Sequence, residues 1–265
     1  MTEVLKVSVM DKFSLKGYTS IVTGAATGLG KAMARALAEA GSNIVIADID
    51  VDGAGETAKE IRENGVEVLV IKCDVTNRDD CKNAVEKTIE AFGKIDVLIN
   101  NAGICIHRNA EDMTWDEWHK VIDVNLNGVF NMAQAVGREM IRQKSGSIIN
   151  ISSMSGIIAN TPQGQCAYNA SKGGVIMLTK SLASEWVVHN IRVNTIAPGY
   201  MKTELTRLFF EQGDPEMIKK WMDFTPMGRA GTPDELGGLA VYLASPASSF
   251  ATGSVFVIDG GYTVW

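Results

Sequence analysis

The run Tyr168-Asn169-Ala170-Ser171-Lys172 sets a phenol and an ammonium four positions apart. On a helix, residues at that spacing share a face. A free phenol titrates near pH ~10, so holding it as an anion at pH 7 costs about 4 kcal/mol. A nearby ammonium lowers that cost. Tyr168 can then act as general base toward an alcohol, and as general acid in the reverse direction. The spacing alone also recurs by chance as a surface pair, so the chemistry needs further partners.

A second set lies near the start of the chain. Thr23-Gly24-Ala25-Ala26-Thr27-Gly28-Leu29-Gly30 follows a short β-rich run and opens an Ala-rich helical stretch. Glycines there let the backbone turn tightly against a pyrophosphate, and free N–H groups at the helix start donate to it. The spacing is G-x-x-x-G-x-G, not G-x-G-x-x-G, so a turn needed only for packing competes with this reading. Asp48, with Ile49 beside it, ends the next β-rich run. A carboxylate about this far past the turn accepts from the ribose hydroxyls of a dinucleotide. Its charge repels a 2′-phosphate, and Asp48-Ile49-Asp50 carries no Lys or Arg, which favours NAD over NADP.

Both sets depend on the elements that carry them. β-rich runs are read at Tyr18–Thr23, Asn43–Ala47, Val66–Ile71, Ile95–Asn100, Ser147–Ser152, Ile191–Ile196 and Val255–Ile258. Helical stretches alternate with them, including Lys31–Ala40, Gly53–Asn64, Asp79–Phe92, Trp115–Ile122, Tyr168–Trp186 and Leu236–Ala244. The alternation predicts an α/β fold with a parallel sheet, and apolar strands imply helices on both faces. Right-handed crossovers then give a doubly wound, seven-stranded parallel sheet. Residues 1–16 read as a tail and 17–265 as one domain. The stretch 203–231, with Phe209, Phe210, Trp221 and Phe224, reads as a small helical lid.

Composition narrows the function classes. The 265 residues are 46% hydrophobic and 21% charged, which is globular, and the net charge is −6. No strongly basic run is present, so neither a nucleic-acid nor an anionic-membrane partner is expected. Cys73, Cys81, Cys105 and Cys166 include no C-x-x-C pair, which argues against zinc and dithiol chemistry and for reduced thiols in a cytoplasmic protein. No apolar run reaches the ~18 residues of a membrane span. The start MTEVLKVSVMDKF lacks the pattern of a signal peptide. His107, His119 and His189 read as solvated side chains.

As a whole the chain resembles the short-chain dehydrogenase/reductase family. The matching residues are the Thr23–Gly30 turn, Asp48, Asp74 before Val75, Asn100-Asn101-Ala102-Gly103, Asn125, Ser153, Tyr168 with Lys172, Pro198-Gly199 and Asp259-Gly260-Gly261. The resemblance implies a single-domain Rossmann fold and an NAD-dependent oxidoreductase acting on secondary alcohols and ketones. It implies Tyr168 as acid/base and Lys172 as holder of the ribose. Ser153 would bond the reacting oxygen, and Asn125 would position a water for proton relay. Gly24, Thr27, Gly28, Leu29, Gly30, Asp48, Ile49, Asp74, Val75, Asn101, Ala102 and Gly103 would line the adenosine and phosphate side. Pro198, Gly199, Met201 and Thr203 would border the nicotinamide.

Counting back from Tyr168 as family members often do gives Ser155 as the catalytic serine. Alignment on the strand end gives Ser153, which is preferred because loops absorb insertions. Ser155 then becomes pocket wall. The stretch from Ser152 to Gln163, with Asn160 in it, is polar and suits a polyol oxidised to a ketose. This stretch and the C-terminal segment resemble bacterial sugar-alcohol dehydrogenases, galactitol-type enzymes included. A hydroxysteroid or 3-oxoacyl substrate is the alternative, and a non-catalytic dinucleotide-sensing scaffold is a third reading. The resemblance further implies a homotetramer with Tyr262 and Trp265 near a subunit interface or a neighbour's active-site rim. Some relatives hold a structural Mg²⁺ at such a C-terminus, which would place one at the Trp265 carboxylate.

Overall fold

The computed structural model describes residues 8–203, 206, 210 and 213–265. Phe209 of the expected lid and the first seven residues of the expected tail lie outside them. Seven parallel strands form one sheet in the order β3-β2-β1-β4-β5-β6-β7. They are β1 (Thr19–Thr23), β2 (Asn43–Asp48), β3 (Val68–Lys72), β4 (Val97–Asn100), β5 (Gly146–Ile151), β6 (Ile191–Pro198) and β7 (Val255–Ile258). Eight helices connect them among the described residues: α1 (Gly28–Glu39), α2 (Val51–Arg62), α3 (Arg78–Phe92), α4 (Trp115–Ile122), α5 (Gly128–Gln143), α6 (Cys166–Trp186), α7 (Pro215–Asp223) and α8 (Gly237–Ala244).

Side-chain alternation along the strands builds a core on each face. Val22, Ile44, Ile46 and Ile149 point to one face, where Met33, Leu37, Ala58 and Leu243 from α1, α2 and α8 meet them. Ile21, Val45, Leu98 and Ile148 point to the other, against Ala84, Met132, Val136 and Leu182 from α3, α5 and α6. Burial of each Leu or Ile contributes roughly 1.5–3 kcal/mol. The chain therefore winds outward from β1 to β3, returns to β4 on the other side of β1, and winds outward again. In such sheets the crevice beyond the strand ends, at the switch between β1 and β4, is the ligand site.

The ordered fold begins earlier than residue 17. Met10–Phe13 forms a single 3₁₀ turn. Leu15 is fully buried in the core, and its N–H donates to Ala40 O. A lone Leu among polar neighbours gives no periodic signal, so sequence pattern alone cannot place it.

Candidate active site

The glycine-rich turn leaves β1 and enters α1 at the switch point. Gly24 has φ +64° and Gly28 has φ +60°, both in the left-handed region. A Cβ on Gly30 would stand 2.2 Å from Gly24 O and 2.5 Å from Asn101 Nδ2. Asn101 fastens this turn to β4. Its Nδ2 donates to Thr23 O at 3.1 Å and Gly24 O at 2.8 Å. Thr23 Oγ1 in return accepts from the N–H groups of Asn101 and Ala102. Thr27 precedes α1 without any side-chain cap, and the first turn of α1 carries no acidic residue. The helix start is therefore free to donate to an anion. Thr203 faces it, since a Cβ on Gly28 would lie 3.6 Å from Thr203 Cβ.

Asp48 closes the same crevice. Its Oδ2 accepts from Ala26 N at 2.8 Å and its Oδ1 from Asp50 N at 3.0 Å. The carboxylate is thus held at the end of β2 with lone pairs to spare, while Ile49 beside it is exposed. Asp74 Oδ1 accepts from the N–H and hydroxyl of Thr76. Val75 packs where a Cβ on Gly128 would otherwise lie.

The second cluster sits beyond β4, β5 and β6. Asp123–Asn127 is one turn of π-helix between α4 and α5. Such turns re-aim side chains and are frequent at functional sites. Here it turns Asn125 inward, fully buried. Asn125 Oδ1 accepts from Ile104 N at 2.8 Å, and its Nδ2 donates to Ile104 O at 2.8 Å and Ser171 Oγ at 3.1 Å. A Cβ on Gly103 would lie 3.3 Å from Asn125 Oδ1 and 3.4 Å from Lys172 Nζ. Gly103 thus borders the lysine, in contrast to the adenosine side on which the resemblance puts it.

Lys172 is buried on α6. Its Nζ donates to Ile151 O at 2.8 Å and lies 5.6 Å from the centre of the Tyr168 ring. The 3₁₀ turn Met154–Gly156 rests directly on α6, since a Cβ on Gly156 would come within 2.6 Å of the Lys172 carbonyl carbon. That contact sets Ser153 beside Tyr168, where its hydroxyl favours the ionised phenol, a smaller effect than burial. Ser153 Oγ also donates to Ser155 Oγ at 3.0 Å and accepts from Ser155 N at 3.1 Å. Burial pushes the Tyr168 phenol up to about 12 and the Lys172 ammonium down to about 8. Cys105 adds to the rise at Tyr168, and burial lifts its own thiol to about 11. The free site therefore holds an uncharged phenol, and further positive charge is needed to ionise it at neutral pH.

The expected residues thus gather at one crevice, in two groups. Sequence reasoning passed over two others, Gln165 and Tyr200. Gln165 is buried beside Ser155, and Gln163 lies behind it. Tyr200 stacks on Trp221 of α7 with ring centres 4.3 Å apart. His107 is exposed, lies beside Gln165, and partial desolvation lowers its pKa. The one available signal was the density of amides between Asn160 and Asn169. Met201 is buried and pairs with Gly231, joining the two ends of the lid stretch. A Cβ on Gly199, which follows Pro198 at the end of β6, would strike Asp259 Cα at 2.7 Å.

At the C-terminus, Tyr262 is 6% exposed and packs edge-on against Tyr200 and Phe224 of its own chain. Trp265 is 77% exposed. Asp259 spends both carboxylate oxygens on Gly261 and Thr263. Among the described residues no group of three or more His, Cys, Asp or Glu is placed to hold a metal ion.

A family model described as Enoyl-(Acyl carrier protein) reductase matches residues 24–263. The chain belongs to the short-chain dehydrogenase/reductase family. It is 41% identical to a galactitol 2-dehydrogenase (L-tagatose-forming) of Cereibacter sphaeroides, over 96% of this chain and 98% of that one. It is 46% identical to an NADP-dependent mannitol dehydrogenase of Alternaria alternata, over 96% and 95%. A crystal structure of a short-chain type dehydrogenase/reductase from Mycobacterium marinum superposes with TM-score 0.93 at 43% identity, covering 97% and 99% of the two chains. The family binds a nicotinamide dinucleotide and interconverts alcohols and ketones. The residues here fit that cofactor: the turn is held open by Gly24, Gly28 and Gly30, and the start of α1 is uncapped.

Proposed function

We propose that the protein is an NAD-dependent polyol dehydrogenase that oxidises a secondary alcohol of a sugar alcohol to a ketose. The observation that carries this reading is the polar wall beside Tyr168, where Ser155, Asn160 and Gln165 surround Ser153. Hydroxyl-rich substrates need such partners once they leave water.

The bound cofactor supplies the hydride acceptor. Gly24, Thr27, Gly28, Leu29 and Gly30 would hold its pyrophosphate, and Asp48 its adenosine ribose. Asp74, Val75, Asn101 and Ala102 would flank the adenosine, and Pro198, Gly199, Met201 and Thr203 the nicotinamide. Ser153 donates to the substrate oxygen, and Tyr168 removes the hydroxyl proton. Lys172 holds the second ribose and lowers the energy of the phenolate. Asn125, on its π turn, keeps the Gly103–Ile104 loop against Ser171 and would seat the relay water beside Lys172.

NAD is favoured because the Asp48 carboxylate is fixed at the point where a 2′-phosphate would enter. Steady-state kinetics with NAD and NADP, on a panel of polyols, steroids and acyl thioesters, tests both parts. Equal kcat/KM for the two cofactors removes the Asp48 argument. Turnover of steroids or thioesters alone removes the polyol.

A homotetramer and a cytoplasmic location complete the reading. Exposed Trp115, Phe130 and Met177 on α4, α5 and α6, and Val257 on the edge strand, are apolar side chains available for subunit contact. Light scattering tests it, and a monomer ends it.

A further inference from the structure

A row of polar side chains crosses the core beneath α6. Asn100 on β4, Asn150 on β5 and Thr195 on β6 are register partners on three neighbouring strands. Thr179 of α6 meets them from above. All four are at most 2% exposed. Asn100 Nδ2 donates to Asn150 Oδ1 at 2.9 Å, and Asn150 Nδ2 donates to Thr179 Oγ1 at 2.9 Å. The hydroxyls of Thr179 and Thr195 bond each other at 2.6 Å. Among the described residues no buried side-chain nitrogen or oxygen lacks a partner. Polar groups this deep lower stability unless each is bonded, so a complete row favours one alignment of the elements that carry it.

The row lies below the reacting groups. Thr179 follows Lys172 by seven residues (179 − 172), about two helical turns, and both belong to the buried face of α6. Asn150 and Ser152 share one face of β5 through the alternation of a strand. Ser152 Oγ donates to Lys172 O at 2.7 Å, and Ile151 O accepts from Lys172 Nζ at 2.8 Å. Three successive residues of β5 therefore grip α6: Asn150 through Thr179, Ile151 through the ammonium, and Ser152 through the Lys172 carbonyl. Asn100 Nδ2 also lies 3.4 Å from Val129 O, just past the π turn that carries Asn125.

We propose that Asn150 and Thr179 are positioning residues for the alcohol–ketone reaction: the bond between them sets the height and rotation of α6 on the sheet, and with it the place of Lys172 and Tyr168. This rests on the roles given to those two residues above. A helix transmits a shift at Thr179 to Lys172, and misplacement by ~1 Å at a reacting centre can cost about 100-fold in rate.

The test sets two substitutions against each other. Thr179→Val keeps the shape and loses the hydroxyl, whereas Thr179→Ser keeps the hydroxyl and loses a methyl group. kcat is measured with whichever of three hexitols (galactitol, sorbitol, mannitol) and 2-hexanol the unmodified enzyme oxidises fastest. Fluorescence titration gives NADH affinity, which reports on Lys172 without a substrate. Thr179→Val should lower kcat about fivefold or more and weaken NADH about threefold. Thr179→Ser should stay within about twofold in both. A merely structural role follows packing instead, so that Thr179→Ser, with a cavity, falls as far as Thr179→Val or further. That ranking, or a Thr179→Val kcat within about twofold, overturns the proposal. If Thr179→Val is insoluble, Thr179→Ala replaces it, since it differs from Thr179→Ser by the hydroxyl alone. If none of the four alcohols is oxidised, the order of NADH affinities decides. Full activity in Tyr168→Phe would remove the roles on which the proposal rests, whereas full activity in Thr179→Val removes the proposal alone.

Discussion

The cofactor half and the substrate half of this crevice are held together by different means. Around β1, β2 and β4 the site is mainly backbone: glycines at positive φ, Asn101 bonded to two main-chain carbonyls, and an uncapped helix start. Beyond β5 and β6 it is made of side chains bonded to side chains, from Ser153 through Ser155, Gln165 and Gln163 to Trp221. The pyrophosphate is common to NAD and NADP, so backbone geometry suffices to bind it. Substrates differ, and side chains can be exchanged without moving the sheet.

The sharpest way to separate the halves is Tyr168→Phe. Only the hydroxyl is lost, and the ring can still pack beside Lys172 and Ser153. Turnover should fall at least ~1000-fold, within the usual worth of a positioned acid/base. NADH affinity should stay within about threefold. If a tenth of the activity survives, another group carries the proton. Next in size is Ser153→Ala, which removes the donor to the developing oxyanion and should cost about 100-fold in kcat. Ser155→Ala should cost less than about tenfold. The reverse ranking would mean that the strand-end alignment chose the wrong serine.

The cofactor half should fail in the opposite way. In Gly30→Ala the new methyl would lie 2.2 Å from Gly24 O, so the turn must open. Weakening of NADH binding by about tenfold or more is expected, with the hexitol preference unchanged. Gly55→Ala in α2 is the control, because nothing lies within 4 Å of its added Cβ. It should stabilise the protein by up to about 1 kcal/mol. Calorimetry and fluorescence titration read both, and normal NADH affinity in Gly30→Ala would show that the turn tolerates a side chain.

The same contrast explains what the sequence could reveal. The seven parallel strands and the glycine-rich turn were legible because spacing along one segment encodes them: Thr23 to Gly30 is continuous, and Asp48 ends the next strand. The strand order came only from the structure. The start of α4 at Trp115 was legible, since Thr114 and Glu117 form a capping box there, and the long helical region it opens runs through the π turn into α5. α1 begins three residues earlier than Lys31 because the glycines themselves form its first turn. That Tyr168, Lys172 and Ser153 lie near one another was legible through family resemblance joined to helical spacing. Gln165, Gln163 and Tyr200 were not, because their meaning lies in contacts across up to 58 positions, as between Gln163 and Trp221. The packing of Tyr262 against Tyr200 was not legible for the same reason.

The smallest expected effect concerns stability, and it falls in the substrate half alone. Lys172 is buried, with its ammonium pushed from an ordinary 10.5 down to about 8. Below pH 8 the folded protein carries a charge that burial disfavours, while the unfolded chain carries the same charge in water. Between about 8 and 10.5 the folded state releases the proton first, so this penalty fades as pH rises and is gone above 10.5. Lys172→Met removes the penalty but also leaves Ile151 O without its 2.8 Å partner, which offsets part of the gain. The variant should therefore be inactive yet more stable than the unmodified enzyme by about 1 kcal/mol at pH 7. The difference between the two proteins should shrink toward pH 10.5, a comparison in which every other titrating group cancels. Urea unfolding at pH 7 and pH 10 measures it. A variant less stable at pH 7, or a difference that grows with pH, would show that Lys172 supports the fold and that no strain is stored at the catalytic centre.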